Sequence, residues 1–182
     1  MELVDEEKIL ELERRIKQLE ATKKKDQLSM VVFSGELDKL LAAMIIATGA
    51  TAMDMEVKLF FTFWAISALR DKEKRAKKKE LTSKMFGAML PRGTSDVKLS
   101  KMNMAGAGLS MLKSLMKKKN VASLDDLLKT AGELGVEINI CEMSMDLMGL
   151  SKDEMIDYPN LNYCGVGTYL ADAEESAIQL FI

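Results

Sequence analysis

The chain of 182 residues has no histidine, two cysteines, two prolines and one tryptophan. Without histidine, Ser-His-Asp and Cys-His catalysis are excluded, as is every histidine-bearing zinc site. Two thiols cannot build a four-thiolate zinc or iron–sulfur centre, so no metal is expected. They are also too few for a secreted disulfide framework, which makes a reducing cytoplasm the expected compartment. Neither sign of charge dominates: 26 Lys and Arg stand against 28 Asp and Glu, a formal net charge of -2. Nucleic-acid binding is not expected from that balance. Long hydrophobic runs are missing too. The most apolar stretch, Leu40 to Met53, is shorter than the roughly 20 residues that span a bilayer, and Asp54, Glu56 and Lys58 follow it. It reads as a core helix of a soluble protein, with room left for a peripheral membrane contact. Met1 to Gln27 is too charged for a signal peptide.

What is present is an apolar fraction of 48%, enough for one compact domain with a real core. Residues 1–25 carry Ile9, Leu12, Ile16 and Leu19 at 3-4-3 spacing, a two-heptad amphipathic helix too short to be stable alone. Residues 26–182 form the domain. Leu28 to Phe33 reads as a buried strand, Ser34-Gly35 as a turn, and Glu36 to about Gly49 as a helix. Val57 to Trp64 is a second, aromatic-rich strand. The pattern loosens from Asp71 to Ser100, with a Lys and Arg cluster at 72–79 and a short helix expected over Leu81 to Met89. Leu109 to Lys119 is a basic, methionine-bearing amphipathic helix, and Ser123 caps the next one. Val136 to Ile140, ending at Cys141, is a strand followed by a short helix. Leu161 to Cys164 is another strand, Gly167 to Ala177 the last helix, and Gln179 to Ile182 docks back on the core. Strands that are nearly all apolar, alternating with helices, define an α/β class. The expected architecture is a three-layer α/β/α fold with a largely parallel sheet of about five strands and an N-terminal amphipathic helix.

In a parallel sheet the carboxyl ends of all strands share one edge, where open α/β folds bind ligands. Ser34, Gly35, Thr62, Trp64, Cys141, Cys164 and Gly165 all fall at strand ends. Cys141 also precedes a helix start, whose unpaired N–H groups favour a thiolate. Backbone N–H groups of Met143, Ser144 and Met145, together with the Ser144 hydroxyl, are the expected donors to a sulfur anion. Trp64 and the methionines are the expected apolar wall. A free cysteine is most often a small buried hydrophobe, and Cys164, beside Gly165 and Gly167, is read as structural. Fifteen methionines suit Cu(I) as thioether ligands, but packing explains them better. Gly106-Ala107-Gly108 lacks the residues and spacing of a phosphate loop or dinucleotide fingerprint, so no cofactor is expected. The basic runs at 72–79 and 117–119 read as solvated surface, or as docking patches for an acidic partner or anionic lipid.

The segments Phe33 to Lys39, Phe60 to Trp64, Leu99 to Met104, Cys141 to Gly149 and Gly165 to Leu170 together resemble the DsrE/DsrF-like sulfur-relay proteins, in their peroxiredoxin-like branch. The match runs from about Met30 to Ile182 and leaves the N-terminal helix outside. The resemblance implies an α/β/α fold with a parallel sheet, homo-oligomerisation, and a cysteine that carries sulfur as a persulfide. The matching residue is Cys141. The family pattern does not require a cysteine at position 164.

Three functions follow as expectations. The first is a sulfur carrier, sulfurtransferase-like in chemistry, that holds sulfane sulfur on Cys141. It would exchange that sulfur with donor or acceptor proteins of the rhodanese-like or small sulfur-carrier type. This is thiol exchange and needs neither base, metal nor cofactor. The second is thiol redox chemistry in which Cys164 resolves an oxidised Cys141. The third is an oligomeric scaffold without catalysis.

Overall fold

Short apolar runs bounded by polar turns form the sheet. In this computed structural model the described residues are 8–17, 23–75, 85 and 87–182. The strands are β1 (Lys25–Val32), β2 (Glu56–Phe61), β3 (Glu137–Cys141), β4 (Leu161–Cys164) and β5 (Ser176–Phe181). All neighbouring pairs are parallel, and the order across the sheet is β4-β3-β2-β1-β5. The helices are α1 (Leu37–Thr51), α2 (Ala107–Lys118), α3 (Leu124–Glu133), α4 (Glu142–Leu147) and α5 (Val166–Glu175). Helices cover both sides, giving the three layers expected from the sequence. The chain steps outward from β1 to β4, then returns across the sheet through α5 to the far edge at β5.

Period-two alternation divides the sheet into two unlike faces. Leu28, Met30 and Val32 of β1, Val57, Leu59 and Phe61 of β2, and Ile138 and Ile140 of β3 join the main core. Leu40, Met44 and Ala47 of α1 and Leu124, Leu128 and Ala131 of α3 complete it. The other face begins polar and ends apolar. Gln27 Nε2 donates to Ser176 Oγ at 2.8 Å, and the Ser29 and Ser176 hydroxyls are 2.8 Å apart. The Lys58 ammonium meets the Asp172 carboxylate of α5 at 2.7 Å, and this bond holds the lysine above its usual range. Toward the carboxyl edge the same face carries Val31, Phe60 and Cys141. Polar contacts therefore pin α5 at one end, and a small apolar cluster sits beneath it at the other.

Local chemistry accounts for the element ends. Ser123 caps α3, as the sequence suggested, and its bond with Asp126 is a reciprocal capping box. The boundaries depart furthest from the sequence reading at two places. β2 stops at Phe61 rather than Trp64, because Phe63 takes a left-handed φ of 46° and the chain turns into a 3-10 helix over Phe63–Leu69. The C-terminal segment is not a docking tail but the edge strand β5, and α5 ends at Glu175, short of Ala177.

Residues 8–17 are helical and their Ile9, Leu12 and Ile16 are exposed. Leu19, the second half of the Lys-rich cluster (76–79), and residues 81–84 and 86 of the expected short helix lie outside the described residues, while 85 and 87–89 are helical. Among the described residues no helix is long and apolar enough to cross a membrane.

Candidate functional site

Cys141 is the last residue of β3 and the N-cap of α4. Only 3% of it is exposed. Alternation along β3 puts Ile138 and Ile140 into the main core and turns Asn139 and Cys141 toward α5. There the cysteine joins Val31 and Phe60, with Phe33, Cys164 and Tyr169 packed around them. The Tyr169 ring of α5 stacks on Phe60 at a centroid distance of 5.3 Å, roofing the cluster.

The register pairs Cys141 with Cys164. Adjacent strands lie about 4.8 Å apart, and paired residues of a parallel sheet point to one side, so the two thiols are neighbours on one face. Cys164 is only half-buried, at the end of the edge strand β4. Gly165 follows as the exposed N-cap of α5. Burial pushes the Cys164 thiol up, its hydrogen bond with the Thr168 side chain works the other way, and negative charge on Cys141 would push it further up. Because the folded value lies above the unfolded one, the associated stability is full below the ordinary thiol value. It is lost as pH rises through the raised one. The expected consequence is that iodoacetamide modifies Cys164 more slowly than a free thiol at pH 8, with the gap closing in more alkaline solution. A Cys164 alkylation profile matching a free thiol's would contradict it.

The other strand-end residues sort into pairs. The Ser144 hydroxyl is fully buried and lies 2.8 Å from the Thr62 hydroxyl, tying the first turn of α4 to the end of β2. Gly35 abuts Trp64: a Cβ at residue 35 would stand 2.6 Å from the Trp64 carbonyl oxygen, so only glycine allows this approach. Ser34 Oγ accepts from Lys39 Nζ at 3.2 Å. Trp64 is about half exposed.

The wall around the thiol differs from the expected one. Met145 is buried in the main core on the opposite side of the sheet, and Met143 is exposed. The apolar surround is instead made by Val31, Phe33, Phe60 and Tyr169. Sequence reasoning missed these four, along with Thr168 and the Lys58–Asp172 pair. The period-two parity of β1 and β2 could have marked Val31 and Phe60, since both fall on the face opposite the main core.

The chain belongs to the DsrE/DsrF/DrsH-like family, whose model matches residues 24–181. It is 49% identical over 161 residues to the uncharacterised protein YrkE of Bacillus subtilis, covering 88% of this chain and 99% of that one. It is 32% identical over 161 residues to the sulfur carrier protein DsrE2 of Allochromatium vinosum, covering 86% and 98% respectively. Among solved structures it is similar to the YchN protein of E. coli, with a TM-score of 0.50 at 10% identity, over 86% of this chain and 98% of that one. That last likeness is one of fold.

Proposed function

We propose that this protein is a sulfur carrier of sulfurtransferase-like chemistry. It holds sulfane sulfur as a persulfide on Cys141 and passes it to a partner protein's thiol. The observation that carries the reading is a cysteine at the carboxyl edge of a parallel sheet, enclosed by Val31, Phe33, Phe60 and Tyr169, in a chain similar to a named sulfur carrier. Loading is thiol exchange: the Cys141 sulfur attacks the outer sulfur of a persulfide, the inner sulfur of that persulfide leaves as a thiolate, and Cys141–S–SH remains. An apolar enclosure protects that species from water. Rhodanese-like or small sulfur-carrier proteins are the partner class, and the cytoplasm is the setting. Incubation with glutathione persulfide followed by peptide mapping should add about 32 Da to the Cys141 peptide per sulfur bound. A Cys141 peptide that never gains this mass would overturn the reading.

A second reading is favoured by one observation, the register pairing of Cys141 with Cys164. Adjacent thiols suit redox chemistry, in which peroxide oxidises one sulfur and the other condenses with it to a disulfide. Peroxide treatment that joins Cys141 and Cys164, in a protein that refuses sulfane sulfur, would favour this reading.

We further propose a homo-oligomer. Trp64, Leu147, Val166, Leu170 and Phe181 are exposed near the carboxyl edge, as are Met111 and Leu115 on the basic helix, and large apolar patches mark contact surfaces. Light scattering should report a multiple of the 20.3 kDa chain mass. A monomer mass at micromolar concentration would contradict it.

A further inference from the structure

The proposed carrier cysteine is nearly sealed, whereas its neighbour is not. Only 3% of Cys141 is exposed, with Phe60, Tyr169 and Val31 around it. A partner protein's sulfur cannot reach it through that enclosure. Cys164 is half-buried and belongs to the edge strand β4. The space beyond it is open: a Cβ built at Gly165 or at Gly167 would meet nothing within 4 Å. Val166 and Leu170, both exposed, offer an apolar rim beside this opening. We propose that Cys164 is the port of the thiol pair: sulfane sulfur enters and leaves the buried Cys141 by way of the Cys164 sulfur. This inference rests on the carrier reading above and assigns the second cysteine a place in it.

The steps balance without an oxidant or reductant. The Cys164 thiolate attacks the outer sulfur of a donor persulfide, the donor's S–S bond breaks, and the donor leaves as a thiolate. Cys164–S–SH is formed. The Cys141 sulfur then attacks the outer sulfur of that persulfide. A new S–S bond forms on Cys141, the old one breaks, and its electron pair returns to Cys164. That sulfur takes up the proton Cys141 gives off. Since burial makes Cys164 hold its proton more tightly than an ordinary thiol, the protonated Cys164 is a natural resting state. Discharge runs the same steps backward toward an acceptor thiolate. Attack on the inner sulfur would be a different reaction. It gives a Cys141–Cys164 disulfide and hydrosulfide, and an external dithiol would have to reset the pair.

The test is rapid-quench loading with glutathione persulfide, followed by alkylation and peptide mass spectrometry of each cysteine. In the unmodified protein the added sulfur should appear on Cys164 first and on Cys141 later. Cys164→Ser should slow loading of Cys141 by at least about tenfold, because exchange rates follow access to the attacked sulfur. Cys164→Ala should do the same, which separates loss of the thiol from an effect of the serine hydroxyl. In Cys141→Ser, sulfur should load on Cys164 at the normal rate and be stripped by a brief wash in reduced glutathione, whereas sulfur on Cys141 resists it. Cys141 loading at the normal rate in both Cys164 variants would overturn the port while leaving the carrier intact. So would sulfur reaching Cys141 first in the unmodified protein, an outcome that does not depend on how the variants fold. Release of hydrosulfide with formation of the disulfide overturns the port as well. Failure of both cysteines to take up sulfur overturns the carrier and the port together.

Discussion

Cys141→Ser is expected to remain folded and to lose, by at least about tenfold, the glutathione-resistant sulfane sulfur that the unmodified protein retains. Serine keeps the shape of the side chain but removes the soft nucleophile, and no histidine stands by to activate a hydroxyl. Delivery of sulfur to an acceptor thiol should fall in parallel, because the store is gone even if Cys164 still accepts sulfur in passing. The fold should loosen slightly. Among Val31, Phe60 and Tyr169 a hydroxyl without a partner costs about 1–3 kcal/mol. Cys141→Ala, which brings no hydroxyl, is the matched control: it should lose the same sulfur with a different change in urea midpoint. If both variants retain protected sulfur at the normal level, Cys141 is not the store, whatever their stability. If stability alone changes, the cysteine is a packing residue. The two readouts separate the roles.

The parts of this fold that could be read from the chain are those encoded by neighbours in sequence. The apolar runs from Leu28 to Phe33, Val57 to Trp64 and Val136 to Cys141 alternate with helical patterns, so the strands and their parallel arrangement were legible, though not each strand's last residue. The convergence of Ser34, Thr62, Cys141 and Cys164 at one edge followed from that arrangement alone. What surrounds the thiol depends on register between strands, which no single segment encodes. Val31 faces Phe60 across β1 and β2, and Tyr169 comes over them from α5, so a wall of methionines adjacent in sequence was the wrong expectation. The pairing of Cys141 with Cys164 is likewise a matter of register, and it turns a cysteine read as structural into the neighbour of the candidate carrier. Edge strand β5 was missed because Ala177-Ile178-Gln179-Leu180 alternates only weakly, and its identity comes from β1, to which it bonds in parallel. Charged partners were the least legible. Lys58 meets Asp172 across 114 residues of chain, and nothing near either residue announces the other.

The largest effect on stability is expected from a pair of this kind, Arg70 and Glu154. Each is only 2% exposed. Arg70 Nη2 lies 3.0 Å from Glu154 Oε1, joining residues 84 apart in the chain. Arg70 Nη1 donates to the carbonyl oxygen of Gly87 at 2.9 Å, and Arg92 reaches the same carboxylate at 3.4 Å. The other Glu154 oxygen accepts from the backbone N–H of Ser151 at 3.1 Å. Backbone bonds run alongside, from Asp71 N to the Glu154 carbonyl and from Ile156 N to the Leu69 carbonyl. Three segments thus meet at one ion pair: the exit from the 3-10 helix after β2, the loop around Pro91, and the connection from α4 to β4. Forming such a pair gains little, because desolvation offsets the attraction. Removing one partner leaves a buried charge uncompensated, which costs about 3–5 kcal/mol. Glu154→Ala should therefore lower Tm by roughly 6–20 °C for a chain of this size, and Arg70→Ala should lower it by less, since Arg92 and the Ser151 N–H still meet the carboxylate. The double variant Arg70→Met with Glu154→Leu should recover much of that loss, since the charge left at the site is then Arg92, which is partly exposed to solvent. Because β4 carries Cys164, hydrogen exchange should rise in the Glu154→Ala protein over the stretch leading into β4 before it rises in β1 and β2. A Glu154→Ala variant within about 1 kcal/mol of the parent in urea unfolding would show that the pair is solvated and does not hold the three segments together.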